Sequence, residues 1–327
     1  MIYGLRLTNQ RSKNDFDEDQ LSPVDDEILN IEGGEYFLPS ADKDIERLQM
    51  QHFLFRYIWD GNFSSPIHDK FIDGGVKVLD IQCGSGIFIT DLATQYPTST
   101  FIGIDDDEAR SRIQIELPNA EFLHHSDMLE GLPFPDDTFD FVNQRLFTAV
   151  SINKWEKFIL PEIVRVLKPD AYLEFMELPV WSNMGPVTKQ IMKSYDEYLE
   201  TRGVYHTEPL LLEQILNLTG LVKNIHSYAK TTHLWKGMIG QLVFRNQLQK
   251  IDSNKSGLCE YLQISEKQFD SMLETMSDEV VNYKSSLTTY SSETTADFRW
   301  PISMLILSNL MIKTPLDFCL YDVTHLR

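Results

Sequence analysis

The chain has 327 residues and a formal net charge of -20, from 49 acidic against 29 basic residues. Its hydrophobic content of 42% and charged content of 24% are those of a folded globular protein, long enough for one large domain or two small ones. A surface this acidic repels phosphate, and no Lys/Arg cluster offsets it, so a nucleic-acid partner is not expected.

Three cysteines, Cys83, Cys259 and Cys319, are far apart and odd in number. They form no metal-ligand spacing and no disulfide framework, which fits a reducing compartment and no bound metal. The start, Met1 to Arg6, carries no apolar signal segment. The longest apolar run, Ile302 to Ile312, is broken by Ser303, Ser308 and Asn309 and is shorter than the ~20 residues a spanning helix needs. The expectation is a cytoplasmic or nuclear protein without a membrane partner.

Residues 1–34 read as an acidic, disordered tail, dense in Asp and Glu between Asp15 and Glu35 and poor in aromatics. Ordered chain is expected to begin at Tyr36-Phe37-Leu38-Pro39. Ser40 or Asp42 then caps a helix to about Ile58, with Ile45, Leu48, Phe53, Leu54 and Ile58 near helical spacing. A short helix over Ile67 to Ile72 follows a Gly61/Pro66 loop. From Val76 the pattern alternates. Apolar runs at 76–81, 100–105, 121–123, 139–142 and 171–176 read as strands. Between them, Phe88 to Thr94 and Trp155 to Leu167 read as helices, the second starting or bending at Pro161. This predicts an α/β fold, a mostly parallel sheet with helices on both faces. Beyond Pro179 the periodicity predicts helices over 187–202, 210–218, 238–248 and from Ser265 to about Tyr283, with a strand from Leu221 to Tyr228. Ser285 to Thr295 reads as a Ser/Thr-rich loop, and Phe298 to Arg327 shows no pattern.

Val78-Leu79-Asp80-Ile81-Gln82-Cys83-Gly84-Ser85-Gly86 carries most of the information. A strand delivers an acid, then a Gly-rich turn leads into a helix. Glycines there let a backbone approach a ligand and adopt conformations closed to other residues. Asp105 ends the next strand, where a carboxylate can accept both hydroxyls of a ribose. A nicotinamide dinucleotide needs G-x-G-x-x-G, but here the third glycine is missing and Asp80 would repel a pyrophosphate. S-adenosylmethionine has no phosphate and carries an ammonium and a sulfonium, so acids near the loop suit it.

On these residues the chain resembles the class I S-adenosylmethionine-dependent methyltransferases. The loop resembles that family's D-x-G-x-G-x-G motif, and Asp105 matches its ribose-binding acid. Ser126-Asp127-Met128 followed by Leu132-Pro133-Phe134-Pro135-Asp136-Asp137-Thr138-Phe139-Asp140 resembles its third and fourth motifs. Glu162 to Pro169 followed by Tyr172-Leu173-Glu174-Phe175 resembles its later helix and fifth strand. Tyr36 to Pro39, Arg47, Gln51-His52 and Phe141-Val142-Asn143-Gln144-Arg145 are similar to fungal methyltransferases of the LaeA and trans-aconitate-methyltransferase-like kind. The resemblance covers residues 36–283 and is tightest over 76–178.

It implies a Rossmann-like domain at 35–180 that binds S-adenosyl-L-methionine. Residues 181–290 are then a helical substrate cover that completes the sheet, and 291–327 an irregular tail. The implied cofactor-binding residues are Asp80, Gln82, Cys83, Gly84, Gly86, Asp105, Asp106, Asp127, Met128 and Asn143. Asp127 would hold the adenine amino group and Met128 would pack on the ring. No catalytic base is assigned. The implied reaction is methyl transfer to an oxygen or nitrogen of a small molecule or, alternatively, of a protein.

Three features depart from the family. Gln82 replaces the first glycine of the loop, Asp170-Ala171 replaces a Gly-Gly pair, and Asn143 stands where relatives often have His. If Gln82 sits at positive φ it costs about 1–2 kcal/mol. Such a cost keeps open a second reading, a weak or silent methyltransferase fold that serves as a regulatory scaffold and meets protein partners through its acidic surface. Simpler roles also stay open. Asp80 and Asp105 are placed to cap helices, Asp127 to cap one of its own, and Cys83 to pack as a small apolar side chain.

Overall fold

The computed structural model describes residues 42–105, 117–125, 127–146, 154–202 and 209–296. The acidic tail, Tyr36 to Pro39, Asp106, Ser126, His206 and the stretch after 296 lie outside the described residues.

Among the described residues, β1 (Lys77–Ile81), β2 (Thr100–Asp105), β3 (Ala120–His124), β4 (Phe139–Arg145), β5 (Leu167–Ser182), β6 (Val222–His233) and β7 (Ser286–Ala296) form a 7-stranded sheet in the order β3-β2-β1-β4-β5-β7-β6. The first five strands are parallel, and β7 runs antiparallel between β5 and β6. The order reverses at β1 and β4, the position where sheets of this kind open a crevice for ligand at their carboxyl ends.

Helices α1 (Asp42–Trp59), α2 (His68–Asp73), α3 (Ile87–Gln95), α4 (Leu160–Val166), α5 (Pro186–Glu200), α6 (Pro209–Thr219), α7 (Gly237–Asp252), α8 (Lys255–Leu262) and α9 (Glu266–Asn282) surround it. Alternate strand residues feed two cores, as a period of two requires. On one face Leu79, Ile81, Val142, Leu173 and Phe175 pack with α4 and with Leu212, Ile215 and Leu216 of α6. On the other, Val78, Phe101 and Phe141 meet Phe71 of α2 and Phe88, Ile89 and Leu92 of α3. Phe101, Phe139 and Phe141 are wholly buried, as their place in apolar runs predicts.

The expected helix around Pro161 has two parts. A π-helical turn, Trp155–Ile159, leads into α4, and Pro161 sits in the first turn of α4, where its missing N–H costs nothing. Ser265 caps α9 through a reciprocal pair, with Gln268 N donating to its Oγ and its own N donating to Gln268 Oε1 at 2.9 Å. Helix α8 had no counterpart in the sequence pattern.

One expectation fails in the C-terminal third. The stretch read as a loop from Ser285 to Thr295 is for the most part a strand, Ser286–Ala296. The strand lies between β5 and β6 and is almost entirely buried. Several of its hydroxyls are satisfied sideways, although Ser291 Oγ is buried without a partner. Ser292 pairs with Ser227 at 3.0 Å, Thr288 with Thr231 at 2.9 Å and Ser286 with His233 at 2.9 Å, while Thr294 donates to the Lys223 carbonyl at 2.7 Å. Buried polar groups are tolerated when so bonded.

Between β6 and β7 the chain inserts α7, α8 and α9. They share a core with α5 through Ile191, Tyr195, Ile251, Leu258, Phe269 and Met276. Helix α1 joins this assembly through Leu54 against Leu234, Val243, Val280 and Leu287, and Asn246 donates to the Arg47 carbonyl at 2.8 Å.

Candidate active site

Gln82 to Gly86 turns from the end of β1 into α3. Gln82, Gly84 and Gly86 all take positive φ, of 53°, 55° and 67°. The turn is pinned by Gly86 N to the Cys83 carbonyl at 2.9 Å and by Cys83 N to the Ile104 carbonyl at 3.1 Å. Gln82 therefore holds the left-handed conformation that glycine holds without strain. Cys83 is buried and packs tightly on β2, since a Cβ on Gly103 would lie 2.9 Å from its Sγ.

Asp105 is 1% exposed, and its Oδ2 accepts the Gly84 N–H at 2.8 Å. The second-strand acid and the glycine loop are thereby locked together at the carboxyl ends of β1 and β2. Asp80 and Asn143 face each other in register across the switch point, and Asn143 Nδ2 donates to Asp80 Oδ1 at 2.6 Å. Both are buried. Burial pushes the Asp80 carboxyl up to about 7, with nearby Asp105 adding to the rise and Asn143 and Arg145 opposing it.

Arg145, at the end of β4, lies close enough to act on the charges of Glu174, Asp80 and Asp91. It is half-buried, and its guanidinium lies over the Phe88 ring at 4.3 Å and donates through Nη2 to the Asn62 carbonyl. It makes no ion pair among the described residues, and Nε is enclosed without a partner. Asn62 Oδ1 and Asn143 Oδ1 are likewise buried and unpartnered. Asn143 and Arg145 thus bring unpartnered buried atoms to the neighbourhood of Asp80, and Asn62, whose carbonyl Arg145 holds, brings a third to that of Arg145. Buried polar atoms without partners are rare in folded proteins, and each needs an explanation.

Two carboxylates hold this geometry. Asp91, the one charged residue of α3, accepts from His52 Nε2 at 3.1 Å, Arg56 Nη1 at 2.8 Å and Asn62 Nδ2 at 2.8 Å. Glu174, in register with Asn143, accepts from Ser64 N at 2.9 Å, Ser65 N at 3.0 Å and Ser65 Oγ at 2.9 Å, fixing the loop after α1 onto β5. Asp91 offered one sequence signal, a lone carboxylate in Ile87-Phe88-Ile89-Thr90-Asp91-Leu92-Ala93.

The third motif looks different. Asp127 is exposed and caps a 3-10 turn, with Leu129 N donating to its Oδ1 at 2.8 Å. Met128 is buried in the core with Leu79 and Trp155. His125 Nε2 meets the Gly131 carbonyl at 2.8 Å. Among the described residues no group of three His, Cys, Asp or Glu is placed to hold a metal, and no helix is long and apolar enough to cross a membrane.

A parallel sheet closed by an antiparallel β7, with a strand–glycine loop–helix and a paired second-strand acid at its switch point, defines the class I S-adenosylmethionine-dependent methyltransferase fold. Residues 78–170 match the methyltransferase domain family. The methyltransferase Str3 of Strobilurus tenacellus is 23% identical over 220 residues, 67% of this chain and 69% of Str3. The secondary metabolism regulator LaeA of Aspergillus flavus is 27% identical over 147 residues, which are 44% of this chain. The match spans only 37% of that regulator's length. Among solved structures, phosphoethanolamine N-methyltransferase 2 of Haemonchus contortus, bound to phosphomonomethylethanolamine and S-adenosylhomocysteine, aligns with a TM-score of 0.45 at 16% identity. That alignment covers 76% of this chain and 58% of the other.

Proposed function

We propose that the chain transfers the methyl group of S-adenosylmethionine to an oxygen or nitrogen of a small molecule. The observation that carries the cofactor assignment is the set of unpartnered buried atoms on Arg145, Asn62 and Asn143. An α-amino acid brings a carboxylate and an ammonium. Arg145 Nε offers a charged donor to the first, and Asn62 Oδ1, Asn143 Oδ1 and Asp80 offer acceptors to the second. A cation beside Asp80 offsets the desolvation that pushes its carboxyl up. At the other end, Asp105 and the loop form the polar cradle for a ribose.

When bound, the cofactor supplies a methyl carbon activated by positive sulfur. The protein's work is alignment and exclusion of water. Helices α1, α7 and α9 pack together through Leu54, Val243 and Val280, against Leu287 near the start of β7. A charge of -20 repels nucleic acid, in keeping with a small acceptor. One observation favours the scaffold alternative. Gln82 at φ 53° strains the loop and places a side chain where glycine leaves room.

The test is transfer from methyl-labelled cofactor into a cell extract separated into metabolites, proteins and nucleic acids. Label in the metabolite fraction supports the reading. Label confined to protein, or no transfer by a protein that binds S-adenosylhomocysteine, contradicts it.

A further inference from the structure

The site as described contains no group placed to take a proton from an acceptor, but β5 supplies one. Met176 pairs with Arg145, and Leu146 N donates to the Met176 carbonyl at 2.7 Å. β5 therefore passes the end of β4 at Glu177, on the rim where this sheet architecture binds ligand. The pairing of β5 with β7 loses register between Glu177 and Val180. Bulges of this kind re-aim side chains and recur beside active sites. Directly across from Glu177 on β7 stands Tyr290, on the same face by the pairing rule.

Glu177 is only 8% exposed, yet its carboxyl meets no hydrogen-bonding or ionic partner among the described residues. A structural carboxylate in this chain looks different. Glu174 and Asp91 are each saturated by several donors. Among the described residues Glu177 is a buried acid with no donor to its carboxyl, one residue beyond the level of Arg145.

We propose that Glu177 is the proton acceptor for a hydroxyl- or amine-bearing small molecule, with Tyr290 beside it orienting the heteroatom that is methylated. This rests on the acceptor reading given above. In the step, a lone pair of the acceptor oxygen or nitrogen forms the new bond to carbon as the carbon–sulfur bond breaks. That bond's electron pair stays on sulfur, which becomes a neutral sulfide, and the acceptor's proton passes to a Glu177 carboxyl oxygen and then to water. Desolvation alone raises the Glu177 carboxyl to about 7, and neither Tyr290 across the ladder nor Arg145 one strand over contributes to that rise. A base poised there is half ionised at neutral pH.

Two measurements on the full chain test this. First, with δ-13C-glutamate labelling and S-adenosylhomocysteine bound, the resonance lost in Glu177→Gln should titrate near 7. A midpoint in the ordinary carboxylate range, about 4, overturns the proposal. Second, transfer from methyl-labelled cofactor into a metabolite extract is followed from about pH 5.5 to 8.5. In the parent it should rise about tenfold per pH unit below 7. Glu177→Gln should lose about 100-fold and the acid limb, while binding S-adenosylhomocysteine within about threefold of the parent. Glu177→Asp should keep the limb at a reduced rate. Transfer by Glu177→Gln within about threefold of the parent at every pH overturns the proposal, and so does loss of S-adenosylhomocysteine binding, which marks a structural role. A parent that transfers nothing overturns the acceptor reading, and the proton role with it, even if the carboxyl titrates near 7.

Discussion

Asn143 and Asp80 occupy the same level of two adjacent parallel strands, and the amide of one donates to the carboxylate of the other at 2.6 Å. The contact lies at the topological switch point, where an apolar pair would pack at no electrostatic cost. Asp80 is instead held up near 7 by burial, a cost that Asn143 and Arg145 offset in part and a cationic ligand would offset further.

Asp80→Asn should therefore stabilise the free protein at neutral pH. The folded-state pKa of about 7 exceeds the ordinary 3.8, so the folded chain binds the extra proton between those values. The stability linked to it is full below about pH 4 and lost as pH rises through 7. Urea unfolding at pH 5 and pH 8 should show a difference in the parent that shrinks by about 1–3 kcal/mol in the variant. The same variant should bind S-adenosylmethionine more weakly, a trade of function against stability.

Gln82→Gly should relieve left-handed strain of about 1–2 kcal/mol, against an added unfolded-state entropy of about 0.5–1 kcal/mol. The net is a melting temperature equal to or slightly above the parent's. Affinity for S-adenosylhomocysteine should rise, because the side chain leaves the loop. A tighter complex in the parent would show that Gln82 contributes a contact.

Asp91→Ala should cost about 2–4 kcal/mol, since it leaves His52, Arg56 and Asn62 without their common acceptor. His52 also sets an acid limit. Its pKa is lowered, chiefly by burial, so the unfolded chain takes up its proton first and stability falls as pH drops below about 6.5. Against its burial, hydrogen bonds from His52 and Asn62 and the charge of Arg56 hold the Asp91 carboxyl below its ordinary value, so its share of stability is lost at still lower pH. Unfolding curves between pH 7 and pH 5 should show the first loss, and His52→Gln should flatten it.

Much of this site was legible because its chemistry is local. The strand–loop–helix from Val78 to Thr94 and the acid Asp105 are read from adjacent residues. Arg145 and Glu174 gain their meaning from strand order, which periodicity does not encode. The same reason explains Ser285 to Thr295. A Ser/Thr run looks like a loop in isolation, and only β5 and β6 on either side supply the partners that make it a buried strand. Asp127 offered an adenine-binding reading and a capping reading, and the hydrogen bond from Leu129 N is the capping one.

Calorimetric titration with S-adenosylhomocysteine of the parent and Asp105→Ala, at fixed pH and salt, tests the central claim most directly. Asp105 joins the glycine loop to the end of β2 through Gly84 and is the acid assigned to the ribose. The parent should bind one equivalent, and Asp105→Ala should weaken binding about 10- to 100-fold, the loss of charge-assisted hydrogen bonds. No heat in the parent, or equal affinity in the variant, would contradict the account.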